Sequence, residues 1–158
     1  MGAGESGRRS RAITTTGRRI GAGIDAHVIP GVSSAIAAPA AVNIPVTHRG
    51  INQGFTVISG HVPPGDPEST LDYAALAPSG TSLILLMAVR TLPAIAAALI
   101  EGGMPADTPA AIIADGAMPS QKVVRATIAT LAEAAREAGI KAPAVTVIGG
   151  VAAIDGLL

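Results

Sequence analysis

Short apolar runs alternate with helical segments of small residues between positions 54 and 148, and this alternation limits the folds open to the chain. Residues 81–87 contain the unbroken apolar run LILLM, which is typical of a strand buried on both faces of a sheet. Further strands are predicted over residues 54–59, 110–114, 122–128 and 144–148. Strands and helices of this length, in alternation, indicate an α/β fold in which helices pack on a sheet.

The predicted helices are delimited by recognisable end signals. A short helix is expected over residues 71–77, and Thr91 caps the next one, which a glycine pair at residues 102–103 ends. Thr130 and Glu133 have the spacing of a capping box, in which the two side chains bond the first turn of a helix reciprocally. That helix is expected to end at Gly139.

The composition predicts a core of ordinary size made of aliphatic side chains. The chain has 158 residues and is 49% hydrophobic, yet Phe55 and Tyr73 are its only aromatic residues. One domain is therefore expected, with a core of Ala, Val, Ile and Leu. Cysteine is absent, which excludes disulfides, thiolate metal sites and a cysteine nucleophile, and fits a reducing compartment.

Charge is distributed unevenly along the chain. Residues 1–19 hold five arginines against Glu5 alone, a net +4, and the remainder holds six basic and ten acidic residues, a net −4. A slightly acidic globular part with only two aromatic side chains to stack bases argues against a nucleic-acid partner. No apolar run approaches the length of about 18 residues that suggests a membrane span. We therefore expect a soluble, cytoplasmic protein without membrane or nucleic-acid partners.

Residues 28–50, VIPGVSSAIAAPAAVNIPVTHRG, form the most informative segment. They predict a strand over residues 27–29, a turn at Pro30-Gly31, and a short helix over residues 34–42 capped by Ser33 or Ser34. A turn that leads directly into a helix points backbone N–H groups and hydroxyls at one spot, which suits an anionic or polar ligand. A purely structural junction is the alternative.

The preceding glycines, Gly21 and Gly23, have the residue spacing of a G-x-G-x-x-A dinucleotide fingerprint. That fingerprint requires a strand before it and a helix after it. Here a strand is expected to follow instead, so the glycines are interpreted as a turn.

Several segments together resemble one family. They are PGVSSAIAAPA, IPVTHRG, FTVISGH, LILLMAV, LPAIAAALIEGGMPADTPAAII and KAPAVTVIGG, and they span roughly residues 23–151. In this order they are similar to the second half of S-adenosylmethionine-dependent uroporphyrinogen-III C-methyltransferases, of the tetrapyrrole methylase superfamily. The resemblance implies the α/β fold of the C-terminal domain of that superfamily, a mixed sheet with flanking helices.

The resemblance also implies a domain organisation. The family's G-x-G-P-G-D-P and G-G-D-P-F loops do not occur in this sequence, so most of the family's N-terminal domain is expected to be missing. Residues 1–22 are interpreted as a basic flexible leader without family resemblance. Residues 23–50 would be a remnant of the N-terminal domain and linker, and residues 51–158 the C-terminal α/β domain.

The implied activity is methylation of uroporphyrinogen III at carbon to give precorrin-2, on the pathway to sirohaem and cobalamin, with S-adenosylmethionine as methyl donor. By resemblance, the cofactor-binding residues are Ser33, Ser34, Met87, Gly116 and Ala144. Small residues allow close approach to a flat purine, and methionine offers an adaptable apolar wall. For Met87, the alternative is an ordinary place in the core of a strand.

The substrate contacts implied by the resemblance are Thr47, His48 and Arg49, because a guanidinium pairs well with the carboxylates of uroporphyrinogen. Arg90 and Arg125 are further candidates. No catalytic residue is predicted, since transfer of an already activated methyl group needs mainly positioning. No metal site is predicted either, because the three histidines share no ligand spacing.

The sequence departs from the family in two segments that bear on function, residues 116–121 and residues 149–152, where the family's G-E-V-V reads GGVA. Residues 116–121 read GAMPSQ where the family has G-T-T-P-R-Q, so two hydroxyls and a basic group are lost. Two hypotheses follow: a partial methyltransferase, expected to form a homodimer, and a non-catalytic remnant that serves as a dimerising or binding module.

Overall fold

The computed structural model describes His27 and residues 29–155. Contacts divide the chain into two units, Met1–Gly31 and Val32–Leu158. In the first unit, the described residues His27 and 29–31 have no regular secondary structure, so neither His27 nor Ile29 is in the strand predicted over residues 27–29, and the turn predicted at Pro30-Gly31 is not observed. Val28, the basic leader and its glycine motif lie outside the described residues.

The second unit is built on one five-stranded mixed sheet. Its strands are β1 Phe55–Ser59, β2 Ser82–Leu86, β3 Pro109–Ala114, β4 Lys122–Thr127 and β5 Ala144–Ile148. Their order across the sheet is β1-β2-β5-β3-β4. β1 and β2 are parallel, and every other neighbouring pair is antiparallel. This mixed sheet confirms the fold class predicted from the sequence.

Among the described residues, four helices and a 3₁₀ turn pack on the sheet. They are α1 Ser34–Ala40, α2 Tyr73–Leu76, α3 Leu92–Glu101, α4 Leu131–Glu137 and the 3₁₀ turn Gly150–Ala153. α2, α3 and α4 contribute to the apolar cluster on one face, and α1 with the 3₁₀ turn contributes to the cluster on the other. Because β2, β3 and β5 are covered on both faces, their side chains are buried almost without exception, as the run LILLM predicted.

The core is aliphatic. Its largest fully buried side chains are all isoleucine or leucine, and Tyr73 is its only aromatic member among the described residues. Phe55, at the edge of the sheet, remains 37% exposed. Dispersion contacts between many small side chains therefore hold this domain together, rather than a few large aromatic groups.

The helix caps agree only in part with the sequence. Ser33, and not Ser34, caps α1, since its hydroxyl accepts a hydrogen bond from the N–H of Ala35 at 3.3 Å. The side chain of Thr91 does not cap α3 as predicted, because it donates to the carbonyls of Gly60 and Ala88.

The prediction of a capping box at Thr130 and Glu133 is wrong, because neither side chain bonds the start of α4. Its hydroxyl bonds the backbone N–H and the hydroxyl of Thr127, at 3.3 and 3.0 Å, and makes no capping bond to α4. Glu133 bonds Arg136 instead of the helix start. Both side chains therefore bond nearby side chains or backbone groups instead of the first turn of the helix. Such local hydrogen bonds commonly compete with capping.

Candidate functional site

A cavity of about 1250 Å³ lies at the edge of the sheet where β2 and β3 end and β5 begins. The pairing of Leu86 with Val145 and of Ala114 with Ala144 places these three strand ends side by side. The start of α1 forms another wall. In open α/β sheets this edge, at the carboxyl ends of the strands, is the usual place for a ligand.

Small residues allow α1 to approach the sheet at this cavity. Ala37 and Ala38 of α1 line it, and Gly116, just after β3, lies against Ala38. A Cβ at position 116 would fall 2.7 Å from the Cβ and 3.0 Å from the Cα of Ala38, which is closer than real contacts allow. Glycine at this position therefore sets the distance between α1 and the end of β3.

Strained backbone borders the same cavity. Met87, Asp115 and Ala117 have φ values of 58°, 50° and 66°, in the left-handed region that costs a non-glycine residue about 1–2 kcal/mol. Such conformations persist only where the surroundings impose them, and they concentrate at ligand sites. Met87 is 63% exposed, so the alternative interpretation of this residue as strand core does not hold.

The ionisable groups that line the cavity are mostly basic. His61 follows β1 and bonds the hydroxyl of Ser59 through Nδ1 at 2.9 Å. Arg90 and Lys141 also line the cavity, and the structure gives neither side chain a hydrogen bond or ion pair within the described residues. Asp115 is the single acidic residue of the lining, and its Oδ2 accepts a hydrogen bond from Ser120 at 2.9 Å. The lining can therefore attract an anionic group.

Four of the five residues predicted to bind the cofactor come together here. Ser34, Met87, Gly116 and Ala144 all line the cavity, although they come from four different segments of the chain. Ser33 does not line it, because its hydroxyl caps α1. A cofactor-binding role for these residues stays a prediction, but the structure brings four of them to one place.

The residues predicted to bind the substrate lie elsewhere. Thr47, His48 and Arg49 are not part of the cavity lining. The backbone N–H of His48 donates to the side chain of Asn52 at 2.9 Å. The same Asn52 donates to the carbonyl of Gly54 and to the hydroxyl of Ser82, beside the starts of β1 and β2. The segment therefore lies at the opposite edge of the sheet, and its contact with a substrate stays a prediction.

Of the two further arginine candidates, only Arg90 lines the cavity. Arg125 donates instead to three backbone carbonyls, those of Val42 at 3.0 Å, Ala152 at 2.8 Å and Ile154 at 2.9 Å. Its guanidinium thus ties β4 to the segment after α1 and to the 3₁₀ turn, which is a structural role.

Sequence reasoning missed Ala37, Ala38, His61 and Lys141 as lining residues. They come from α1, from the end of β1 and from the segment before β5, which lies between β2 and β3. Basic side chains next to predicted strand ends were the one signal that could have indicated His61 and Lys141.

Within the part of the chain that the structure describes, no group of three or more acidic or histidine side chains is arranged to hold a metal ion. None of the described helices combines the length and the apolar character that crossing a membrane requires.

A sequence model of the family Tetrapyrrole (Corrin/Porphyrin) Methylases matches residues 8–132. The chain belongs to this family. It is 42% identical over 135 residues to the S-adenosyl-L-methionine-dependent uroporphyrinogen III methyltransferase of Methanosarcina barkeri, which covers 85% of this chain and 53% of that protein. It is 36% identical over 130 residues to the uroporphyrinogen-III C-methyltransferase of Pseudomonas fluorescens, with 82% of this chain and 51% of that protein covered.

Solved structures agree with the family and with the fold. The uroporphyrin-III C-methyltransferase of Thermus thermophilus superposes with a TM-score of 0.73 at 32% identity, over 90% of this chain and 59% of that one. Its complex with S-adenosyl homocysteine gives a TM-score of 0.72 at 26% identity, over 89% and 60%. The resemblance seen in the sequence is therefore confirmed. The chain spans about half the length of the curated relatives described above.

Proposed function

We propose that this tetrapyrrole methylase chain binds S-adenosylmethionine in the cavity beside α1 and serves the C-methylation of uroporphyrinogen III to precorrin-2. The observation that carries the proposal is the convergence of Ser34, Met87, Gly116 and Ala144 on one cavity. The names of the relatives supply the substrate, and the cavity supplies a site on this chain where the methyl donor fits.

The residues present suit the methyl donor. A volume of about 1250 Å³ exceeds the roughly 300–1,000 Å³ of ordinary ligand sites, so the donor fits with room for part of a second molecule. Ala37 and Ala144 are small enough for a flat purine to lie close to the backbone, and Met87 offers a polarizable wall. The carboxylate of Asp115 can accept hydrogen bonds from hydroxyl groups such as those of a ribose.

In this mechanism S-adenosylmethionine, when bound, supplies an activated methyl group. The work of the chain is to hold the two reactants in line and to exclude water, which lowers the barrier mainly through positioning. Leu86, Ile113 and Val145 provide apolar walls for this purpose. We assign no general base to the described residues.

We further propose that the protein works in the cytoplasm as a homodimer. Support for self-association comes from the outer side of α1, where Ile36 is 48% exposed. A second, mainly apolar cavity of about 200 Å³ lies beside it and is lined by Ile44, Pro45 and Val46 among others. Apolar surface of this kind favours association.

The test is calorimetric titration of the chain with S-adenosylhomocysteine, followed by an assay of methyl transfer to uroporphyrinogen III. Met87→Ala removes an apolar contact of about 1–2 kcal/mol, so the affinity should fall about 5- to 30-fold. Binding that Met87→Ala weakens, without any methyl transfer, would support the alternative of a binding module. Absence of binding to the wild-type chain would refute the proposal.

A further inference from the structure

Two cations at the cavity have no partner within the described residues. Arg90 and Lys141 line the cavity and are exposed, and neither makes a hydrogen bond or an ion pair there. The other described cations differ from them. Arg125 and Arg136 are bonded to neighbouring groups, and Arg49 and Lys122 do not line this cavity. Arg90 and Lys141 are thus the free cations that a ligand in this cavity would meet.

Strand pairing brings the two cations to the same place. Leu86 of β2 is paired with Val145 of β5, and these strands run in opposite directions. Arg90 follows Leu86 by four residues and Lys141 precedes Val145 by four, so both extend beyond the same edge from adjacent strands. The left-handed backbone at Met87 turns the chain directly after β2, before it reaches Arg90.

The surrounding charges leave this side of the cavity positive. The nearest strand end on the outer side carries His61, whose ring is held by Ser59. The acidic residue of the lining, Asp115, follows β3, which is the direct neighbour of β5 and is separated from β2 by it, and the carboxylate of Asp115 is bonded to Ser120. Asp115 therefore neutralises neither Arg90 nor Lys141 through a direct ion pair.

We propose that Arg90 and Lys141 together bind a carboxylate of the ligand at the rim of this cavity. A guanidinium offers a planar fork of donors to a carboxylate, and an ammonium group adds a mobile charge beside it. The inference rests on the proposed function, which provides two sources of carboxylate. One is the amino-acid end of S-adenosylmethionine, and the other is the set of acidic side chains on the tetrapyrrole.

The experiment titrates the wild-type chain, Arg90→Gln and Lys141→Gln with three probes. These are S-adenosylhomocysteine, 5′-methylthioadenosine, which lacks the amino-acid part, and uroporphyrin III. Each variant should weaken a carboxylate-bearing probe about tenfold or more and leave 5′-methylthioadenosine unchanged. Weakening of S-adenosylhomocysteine alone assigns the pair to the cofactor, and weakening of uroporphyrin alone assigns it to the tetrapyrrole. Either result supports the proposal.

Three control variants sharpen the test. Lys122→Gln removes an exposed charge outside the cavity and should not alter binding of any probe. Arg49→Gln removes an arginine outside the cavity and should leave the binding of S-adenosylhomocysteine and 5′-methylthioadenosine unchanged. Arg90→Lys keeps the charge without the fork and should retain more affinity than Arg90→Gln.

Two results would refute carboxylate binding by Arg90 and Lys141 while leaving the proposed function intact. The first is wild-type binding that neither glutamine variant changes. The second is an equal loss in Lys122→Gln, which would reveal a general effect of charge. Failure of the wild-type chain to bind any probe would overturn the proposed function together with this inference.

Discussion

Arg125 should be among the most stabilising polar side chains of the described domain, and its replacement by methionine tests this directly. Its guanidinium donates to the carbonyls of Val42, Ala152 and Ile154. The carboxylate of Asp155 lies 3.8 Å away but is 90% exposed, so this ion pair should contribute little. Methionine preserves much of the apolar volume and removes every donor, which isolates the effect of the hydrogen bonds.

The expected loss in the free energy of unfolding follows from the three charge-assisted hydrogen bonds of Arg125. Each contributes about 1.5–3 kcal/mol when buried. The side chain is 29% exposed, so water replaces part of the lost bonding in the variant, and we take about half of the sum. Arg125→Met should therefore lower the free energy of unfolding by about 2–4 kcal/mol. For a domain of this length, that corresponds to a fall in Tm of about 5–15 °C.

The assay is urea denaturation followed by circular dichroism, with Arg136→Met as the matched control. Arg136 is 73% exposed and pairs with Glu133 three residues earlier, so its loss should not shift the denaturation midpoint beyond the error of measurement. Arg125→Lys should fall between wild type and Arg125→Met, because an ammonium cannot span three carbonyls in the same way. Equal midpoints for Arg125→Met and Arg136→Met would refute the reasoning.

Three further predictions concern Tyr73 and Gly116. The hydroxyl of Tyr73 is buried without a hydrogen-bond partner, so Tyr73→Phe should leave the free energy of unfolding unchanged or raise it by up to about 1 kcal/mol in urea denaturation. Burial raises the pKa of Tyr73 above its ordinary value of about 10. Because the folded state holds the proton of Tyr73 more tightly than the unfolded state, the free energy of unfolding is unaffected below pH 10 and falls as the pH rises from 10 through the raised pKa. Alkaline melting curves of the wild type should therefore show a loss of stability that Tyr73→Phe lacks. Gly116→Ala forces a Cβ against Ala38 and should cost about 1–3 kcal/mol in thermal unfolding, whereas in Gly54→Ala the new Cβ makes only ordinary contacts.

The strands could be predicted from the sequence because apolar runs bounded by turns leave little choice. The last strand was predicted over residues 144–148 and is observed as Ala144–Ile148. The run around Leu83–Leu86 is buried on both faces, as its unbroken hydrophobicity indicated. Glycine also marked the end of α3, whose C-cap is Gly102. These features depend on local sequence, and local sequence fixes them well.

Features that depend on competition between hydrogen-bond partners, or on the order of strands in the sheet, could not be predicted. Thr130 was expected to cap α4, but Thr127 offers its hydroxyl a closer partner. The helix predicted over residues 34–42 ends at Ala40, because the N–H groups that follow bond in turns rather than in a longer helix. The place of β5 between β2 and β3 brings Lys141 to the same cavity as Arg90. The separation of these two residues along the sequence does not indicate that they are close in space.

Methyl NMR of the methionines during titration with S-adenosylhomocysteine determines whether the cavity beside α1 holds the methyl donor. Met87 and Met118 line the cavity and are 63% and 60% exposed, whereas Met104 is buried in the core and does not line the cavity. The methyl resonances of Met87 and Met118 should shift saturably, while that of Met104 stays in place. Calorimetric binding with no shift at Met87 or Met118 would contradict this expectation, because the ligand would then lie elsewhere on the protein.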